Sequence, residues 1–441
     1  MSVTVRSTAP SLHASPTAGW RLGFLYGPAV YGVSAAAVAL PAAAQGLHVD
    51  PAAAVWILAI HALGLGVGAA VAGRATDIWG TRSVLAVGAA LLVIGTAVCA
   101  VAPALLVVIG GRALLAAGSG AMTATALALA AGAPDAIRPR VLTHLGMVMT
   151  LFSATAPLAG SLALVAGWRV ALVLPALSVT AIPMCWILTR SGHRQGPGDV
   201  DWVGALLLAL VASGLLLVLE STTAPMARPL IPILLTATGA GGLLLALHTK
   251  RRPAGFLPAV VIRDRRFWHC GLVGASVYGG LFATVYAVPQ LLTGLGHTAE
   301  AVGMLLLPGA VAGVVVARLA AAASLRLPPQ QVMAAIAALF SAAVLIAAAD
   351  RQSVTLVGAA SAGFAAFAVA QMTLTTAISQ VTDVGVRGAA LGLANLTFFL
   401  GGALGAATCA ALWALWGLPA AFAATAALPT LAALAAWHLG P

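Results

Sequence analysis

Residues 73–82 read Gly73-Arg74-Ala75-Thr76-Asp77-Ile78-Trp79-Gly80-Thr81-Arg82, and they lie between two stretches, 52–73 and 83–101, that contain no Asp, Glu, Lys or Arg. A helix that crosses the hydrocarbon core of a bilayer takes roughly 20 predominantly apolar residues, and each flanking stretch has about that length. Residues 73–82 are therefore read as the turn between two spans. A glycine near each end permits a tight reversal. An acid and two arginines beside helix ends can hold neighbouring helices through charge and dipole contacts.

The same alternation continues in both directions. Of 441 residues, 7% are charged and 61% hydrophobic, and the mean hydropathy of +1.06 leaves too little polar surface to coat a water-soluble globule of this size. The net charge of +11 would suit nucleic acid, but the basic residues fall in short clusters between apolar stretches, so lipid is the expected surrounding and nucleic acid is not a partner. Cys99, Cys185, Cys270 and Cys409 sit inside apolar stretches without paired spacing, which predicts no disulfide framework, metal site or cofactor. Residues 1–19 are polar, and the stretch after them is too long for a signal-peptide core, so they are read as a cytosolic tail.

Dividing the chain at charge clusters and Pro/Gly breaks predicts fourteen spans: 20–43, 52–73, 83–101, 104–130, 141–166, 170–188, 202–219, 229–247, 267–291, 301–323, 332–349, 354–378, 388–411 and 418–437. The pattern is six, two and six. It defines an N-terminal bundle (20–188), a connecting segment with two additional helices (189–266) and a C-terminal bundle (267–441). With both termini cytosolic, most of the 21 basic residues fall inside, leaving Arg169, Arg228 and Arg351 outside and Arg112 within the membrane, as short loops obeying the positive-inside rule require. Arginine almost wholly replaces lysine and alanine is abundant, a bias of high-GC bacterial genomes, so a bacterial cytoplasmic membrane is expected.

The spacing at Gly73, Asp77, Gly80 and Arg82 resembles the signature loop of the major facilitator superfamily, Gly-x-x-x-Asp-x-x-Gly-x-Arg. Other stretches resemble that family as well. Arg112 followed by Gly118 and Gly120 is similar to its second motif, with Leu115 and Ala116 in place of the usual Gln-Gly. Ala156-Pro157-Leu158-Ala159-Gly160-Ser161 is similar to the Gly-Pro-x-x-Gly-Gly motif of antiporters, and Ala39-Leu40-Pro41, Gly167-Trp168-Arg169 and Leu305-Leu306-Leu307-Pro308-Gly309 fit the same family. The resemblance covers nearly the whole chain and is strongest to fourteen-helix drug:proton antiporters. It implies an all-α fold of two six-helix bundles plus two inserted helices, alternating access, and a conformational role for Gly73, Arg74, Asp77, Gly80, Arg82, Pro157 and Gly160.

Two departures bear on the mechanism. Where the family's first span usually carries Asp and Asn, this chain has Gly32 and Ala37, and none of its ten carboxylates is placed near the bilayer centre. Proton-coupled carriers typically use an intramembrane carboxyl. The polar groups left within the spans are Arg112 and His61, the candidates for coupling, and Tyr26, Tyr31, Gln371 and Asn395, the candidates for lining a substrate cavity; each also has a structural reading as an interhelical hydrogen-bonding group. An imidazole titrates in the range a proton carrier needs.

No phosphate-binding Gly-Lys-Ser/Thr loop, nucleophile elbow or Cys/His cluster occurs, and no enzyme activity is expected. The reading is a secondary transporter that exports a small, lipophilic compound, a drug or secondary metabolite, by proton antiport, acting as a monomer. A receptor or scaffold that retains the fold, or an uncoupled facilitator, is the alternative.

Overall fold

The structure is a computed structural model that describes residues 17–189, 201–221 and 230–438. Most of the expected N-terminal tail, and Arg190, Arg194, Asp199 and Arg228, lie outside the described residues. In lipid every backbone N–H and C=O needs an internal partner, which leaves helices as the way to span with these sequences. No strand occurs among the described residues. The helices are α1 (Ala18–Gly46), α2 (Trp56–Trp79), α3 (Thr81–Val101), α4 (Leu105–Ala131), α5 (Arg138–Val165), α6 (Trp168–Trp186), α7 (Trp202–Glu220), α8 (Leu230–Arg251), α9 (Arg265–Gly294), α10 (Ala301–Ala323), α11 (Pro329–Asp350), α12 (Ser353–Val381), α13 (Arg387–Trp416) and α14 (Leu418–Trp437). Thirteen of these helices are long and apolar enough to cross a membrane; α7 provides a shorter apolar stretch, Trp202–Val218.

Single glycines with positive φ make three of the reversals: Gly80 (φ 80°) between α2 and α3, Gly167 (φ 121°) between α5 and α6, and Gly417 (φ 81°) between α13 and α14. L-side chains rarely adopt this backbone, so the turns are built into the sequence. Helix α1 is interrupted by a 3-10 turn at Gly27–Val30 containing Pro28.

Helices α1–α6 form one bundle and α9–α14 the other. The bundles meet where α2 packs on α13 and where α5 packs on α10 and α12. Small residues bring these backbones together in place of the hydrophobic drive that lipid does not supply. A methyl at Gly73 would collide with the Gly388 carbonyl, one at Gly392 would meet Ala69 O at 2.5 Å, and one at Gly146 would meet Ala368 O at 2.9 Å. The inserted helices are unequal. Helix α7 packs on both α2 and α13, whereas α8 rests on α7 and has no buried residue.

Candidate functional site

Three groups of polar side chains occupy the bundles. The first begins at Asp77. Residues 73–79, read from sequence as part of a turn, are the last two turns of α2, and the chain reverses only at Gly80. Helical geometry places the Asp77 carboxylate, 4% exposed, against the other bundle. Its Oδ1 accepts from Gly388 N at 2.8 Å and its Oδ2 from Ala389 N at 2.8 Å. These are two of the N–H groups that the start of α13 leaves without intrahelical acceptors, and the carboxylate also meets the positive end of that helix. Hydrogen bonds to a charged group are worth about 1.5–3 kcal/mol each, so this contact is a clamp between bundles.

The rest of the motif serves that clamp unequally. Gly73 lets the backbones approach. Arg74 lies 4.0 Å from Asp77 Oδ2, and its Nη2 donates instead to Ala254 O at 3.1 Å. Arg82 turns away, with its guanidinium carbon 4.7 Å from the centre of the Trp186 ring. Pro157 and Gly160 lie on α5 inside the first bundle, where a methyl at Gly160 would collide with the Ala35 carbonyl of α1.

Ala254 belongs to a hub that sequence reasoning missed. Asp201, just before α7, accepts from Gly204 N (3.0 Å) and Phe256 N (3.1 Å) and contacts His248 Nε2 at 2.8 Å. Burial raises the tendency of this carboxyl to hold its proton, but the two backbone donors and His248 outweigh it, and the group is held below its ordinary range. The hub ties the inserted hairpin to the segment that receives Arg74. Its acid and histidine are 47 residues apart, and no spacing rule connects them.

The second group surrounds Arg112, which is fully buried on α4. Its guanidinium donates from Nε to Ile57 O (3.2 Å), from Nη1 to Leu172 O (2.6 Å) and from Nη2 to Gly32 O. Three carbonyls, on α1, α2 and α6, satisfy the cation without a carboxylate. Arg112 thus staples the first bundle. His61, also fully buried, presses its ring on the Cα of Gly32, and neither ring nitrogen has a hydrogen-bond partner of good geometry; the Ala29 carbonyl lies nearby.

The third group spans the seam. Tyr26 on α1 donates to Asn395 Oδ1 on α13 at 3.1 Å, and Tyr278 on α9 donates to Gln371 Oε1 on α12 at 2.7 Å. The two phenols are side-chain neighbours, and none of the four residues is more than 1% exposed. Tyr31 stands apart, bonded at 2.8 Å to Thr155 of α5. Sequence reading found Tyr26, Gln371 and Asn395 but missed Tyr278. The signal was present: Tyr26-Gly27, Tyr31-Gly32 and Tyr278-Gly279 share a Tyr-Gly pair, a bulky polar ring beside a residue that admits a close neighbour.

With this geometry in view, comparison with known proteins gives a consistent result. A profile described as Major Facilitator Superfamily matches residues 22–406. The chain belongs to that superfamily. It is 25% identical over 292 residues to "Multidrug resistance protein Stp" of Mycobacterium tuberculosis, covering 64% of this chain and 54% of that one. It is 27% identical over 276 residues to "Uncharacterized MFS-type transporter Rv1877" of the same organism, covering 59% and 39%. The chain thus spans about half the length of the curated relatives it matches. Among solved structures, the human organic anion transporter MFSD10 superposes with a TM-score of 0.67 at 15% identity, covering 97% of this chain and 100% of that one. The proton:xylose symporter XylE has the same score and identity, at 96% and 95% coverage. At that identity the likeness concerns the fold.

Proposed function

We propose that the chain exports a small, lipophilic, uncharged or weakly charged compound across the cytoplasmic membrane by alternating access, with both termini cytosolic and proton antiport as the driving force. The observation that carries this reading is the Asp77 clamp. A carboxylate of one bundle caps a helix of the other, a contact that must break when the bundles rock, so it biases an equilibrium between two packings. The basic-residue distribution supports a cytosolic position for the clamp, and the relative named as a multidrug resistance protein supports export as the direction.

Proton coupling is assigned to His61. It is a buried titratable side chain whose ring nitrogens lack partners of good geometry, and Arg112 is already satisfied by backbone. An uncoupled facilitator is the second reading, favoured by the lack of a carboxylate near the centre of any described span. Solute flux into and out of sealed proteoliposomes under an imposed pH gradient separates them. Accumulation that follows the gradient supports antiport, equilibration alone supports a facilitator, and no flux for any lipophilic solute removes the transport reading.

A further inference from the structure

We propose that the lipid-facing side of the second bundle holds an anionic phospholipid, with one acyl chain in a groove between α10, α11 and α12 and the headgroup phosphate at Arg351. The groove follows from how the helices pack. Helices α10 and α11 each pack along α12 but scarcely touch each other, which leaves α12 as the floor of an opening of about 360 Å3. The sequence keeps that floor low. Thr355, Gly358, Ala362 and Ala365 recur at three- and four-residue spacing, which puts them on one face of the helix. Val316 of α10 and Ile346 of α11 stand as walls, and Ile346 is 59% exposed. A methyl built at Gly358 would meet no atom within 4 Å, so nothing in the described chain covers the floor.

Length identifies the occupant. From Thr355 to Ala365 the floor runs about 15 Å by helical rise, and half of a hydrocarbon core of about 30 Å has the same depth. The floor starts beside the link between α11 and α12 and stops short of the middle of α12. It therefore matches one chain of one leaflet and is too short to seat a transmembrane helix of a second copy. Its lining is apolar apart from Thr355 and Ser361, and Thr355 is bonded within its own turn, to Gln352 O at 2.9 Å. A charged compound would find no partner along it.

Charge complementarity sets the headgroup. Helix α11 ends at Asp350 and α12 begins at Ser353, so Arg351 lies in the short link at the mouth of the groove, five residues from Ile346 and four from Thr355. It is exposed, and its guanidinium makes no hydrogen bond or ion pair among the described residues. Arg169, read as facing the same side, is by contrast engaged: it donates to Ala102 O at 2.9 Å and lies over the Trp168 ring. Neighbouring Asp350 accepts from Gln352 Nε2 at 3.2 Å. The backbone at Arg351 is left-handed (φ 54°), at a helix end where glycine or asparagine is usual. A lone cation at headgroup level above a chain-wide groove selects a lipid of net negative charge over a zwitterionic one. The leaflet is the one that the Asp350–Ser353 link faces, the outer one on the orientation proposed above.

The test uses the full-length protein, delipidated in detergent, with phosphatidylglycerol and phosphatidylcholine of the same acyl chains as probes. Native mass spectrometry counts the bound lipids, and thermal melting checks the fold. Wild type should hold phosphatidylglycerol about fivefold more tightly than phosphatidylcholine, the preference that one basic side chain gives an anionic headgroup. Arg351→Gln should remove that preference and leave phosphatidylcholine binding unchanged. Gly358→Leu should weaken both lipids about tenfold, because its side chain takes the place of several methylenes and their dispersion contacts. Its melting temperature without lipid should stay level or rise, since leucine is the better helix former. Undiminished preference in Arg351→Gln puts the headgroup elsewhere and overturns the proposal. Unchanged lipid binding in Gly358→Leu overturns it as well, as does a lowered lipid-free melting temperature, which would mean that protein covers the floor. A dimer that Gly358→Leu dissolves would give the groove to a second copy. The groove lies apart from the seam, so each of these outcomes leaves the transport reading to its own flux test.

Discussion

The ring of His61 fills the space that a side chain at Gly32 would need: a methyl group built there falls within the imidazole. Helices α1 and α2 are fitted to each other at this point, and the same Gly32 supplies its carbonyl to Arg112. The resemblance to drug:proton antiporters puts an acid at position 32, and here that volume is taken by a histidine from the neighbouring helix. Gly32→Ala is expected to destabilise the protein by about 1–3 kcal/mol through overpacking. A lowered melting temperature in detergent checks this, and adding His61→Ala should restore part of the loss. Wild-type melting of Gly32→Ala alone would refute the interlock.

His61→Gln is expected to abolish pH-driven accumulation and leave downhill exchange of substrate measurable. The substitution keeps a polar side chain but removes the imidazole's capacity to gain and lose a proton. Full pH-driven transport in the variant would make His61 a packing residue and move coupling to another group or to the substrate's own protonation.

Asp77→Asn should leave the protein in the membrane and slow net transport at least tenfold. The amide keeps one acceptor of the two and loses the charge, so a contribution of about 1.5–3 kcal/mol per charge-assisted hydrogen bond is reduced, and the bundles redistribute between their packings. Faster alkylation of a cysteine replacing Thr76, which faces Gly388 across the seam, reports the opening in the variant. Unaltered flux would reduce the motif to a solvated turn.

Asp201 gives a pH dependence of definite sign. Its carboxyl is held below its ordinary range, so its stabilising contribution is complete above the unfolded value of about 3.9 and is lost as pH falls through the lower, folded value. Protection of the amides of Gly204 and Phe256 from hydrogen exchange should therefore stay level from pH 8 to about 5 and fall only in stronger acid. Asp201→Asn should show reduced protection already at pH 7. Loss of protection between pH 7 and 5 in wild type would mean that another group controls the hub.

Topology is open to a direct test. Reporter fusions placed after Gly192 and after Pro441 should both report the cytosol, as the distribution of basic residues requires. A periplasmic signal from either would invert the assignment of the Asp77 end.

Much of the architecture was legible because lipid restricts the choices: charge-free stretches of span length separated by charged or Pro/Gly breaks mark the helices directly. The same reading misplaced the motif. Gly73 and Gly80 look alike as turn formers, yet the first is a packing contact within the helix and only the second adopts the positive φ that ends α2. Polarity within a span identified Tyr26, Gln371 and Asn395 individually. Their pairings were not legible, since Tyr278–Gln371 and Tyr26–Asn395 join residues 93 and 369 positions apart through a packing that periodicity does not encode. Arg112 was visible as an intramembrane charge, but its three acceptors are carbonyls, which every residue has and none advertises. The Asp201 hub was hidden for the related reason that its charges, in a polar segment, look like any solvated loop.

Returning to Asp77, its partners across the seam are main-chain N–H groups, and those are the same whatever side chains residues 388 and 389 carry. Apart from proline, no substitution there deletes the donors, although bulk at 388 would push them away. The chemistry of this contact, as distinct from its fit, is therefore open to change from one side only. Variation in the first bundle can tune or abolish it through a single codon, while the second bundle, which has to keep Gly388 and Gly392 small, can alter it only by pushing the same donors away. A homologue that loses the acid at this position has no complementary change available to it in the partner helix, so compensation would have to arise elsewhere along the seam.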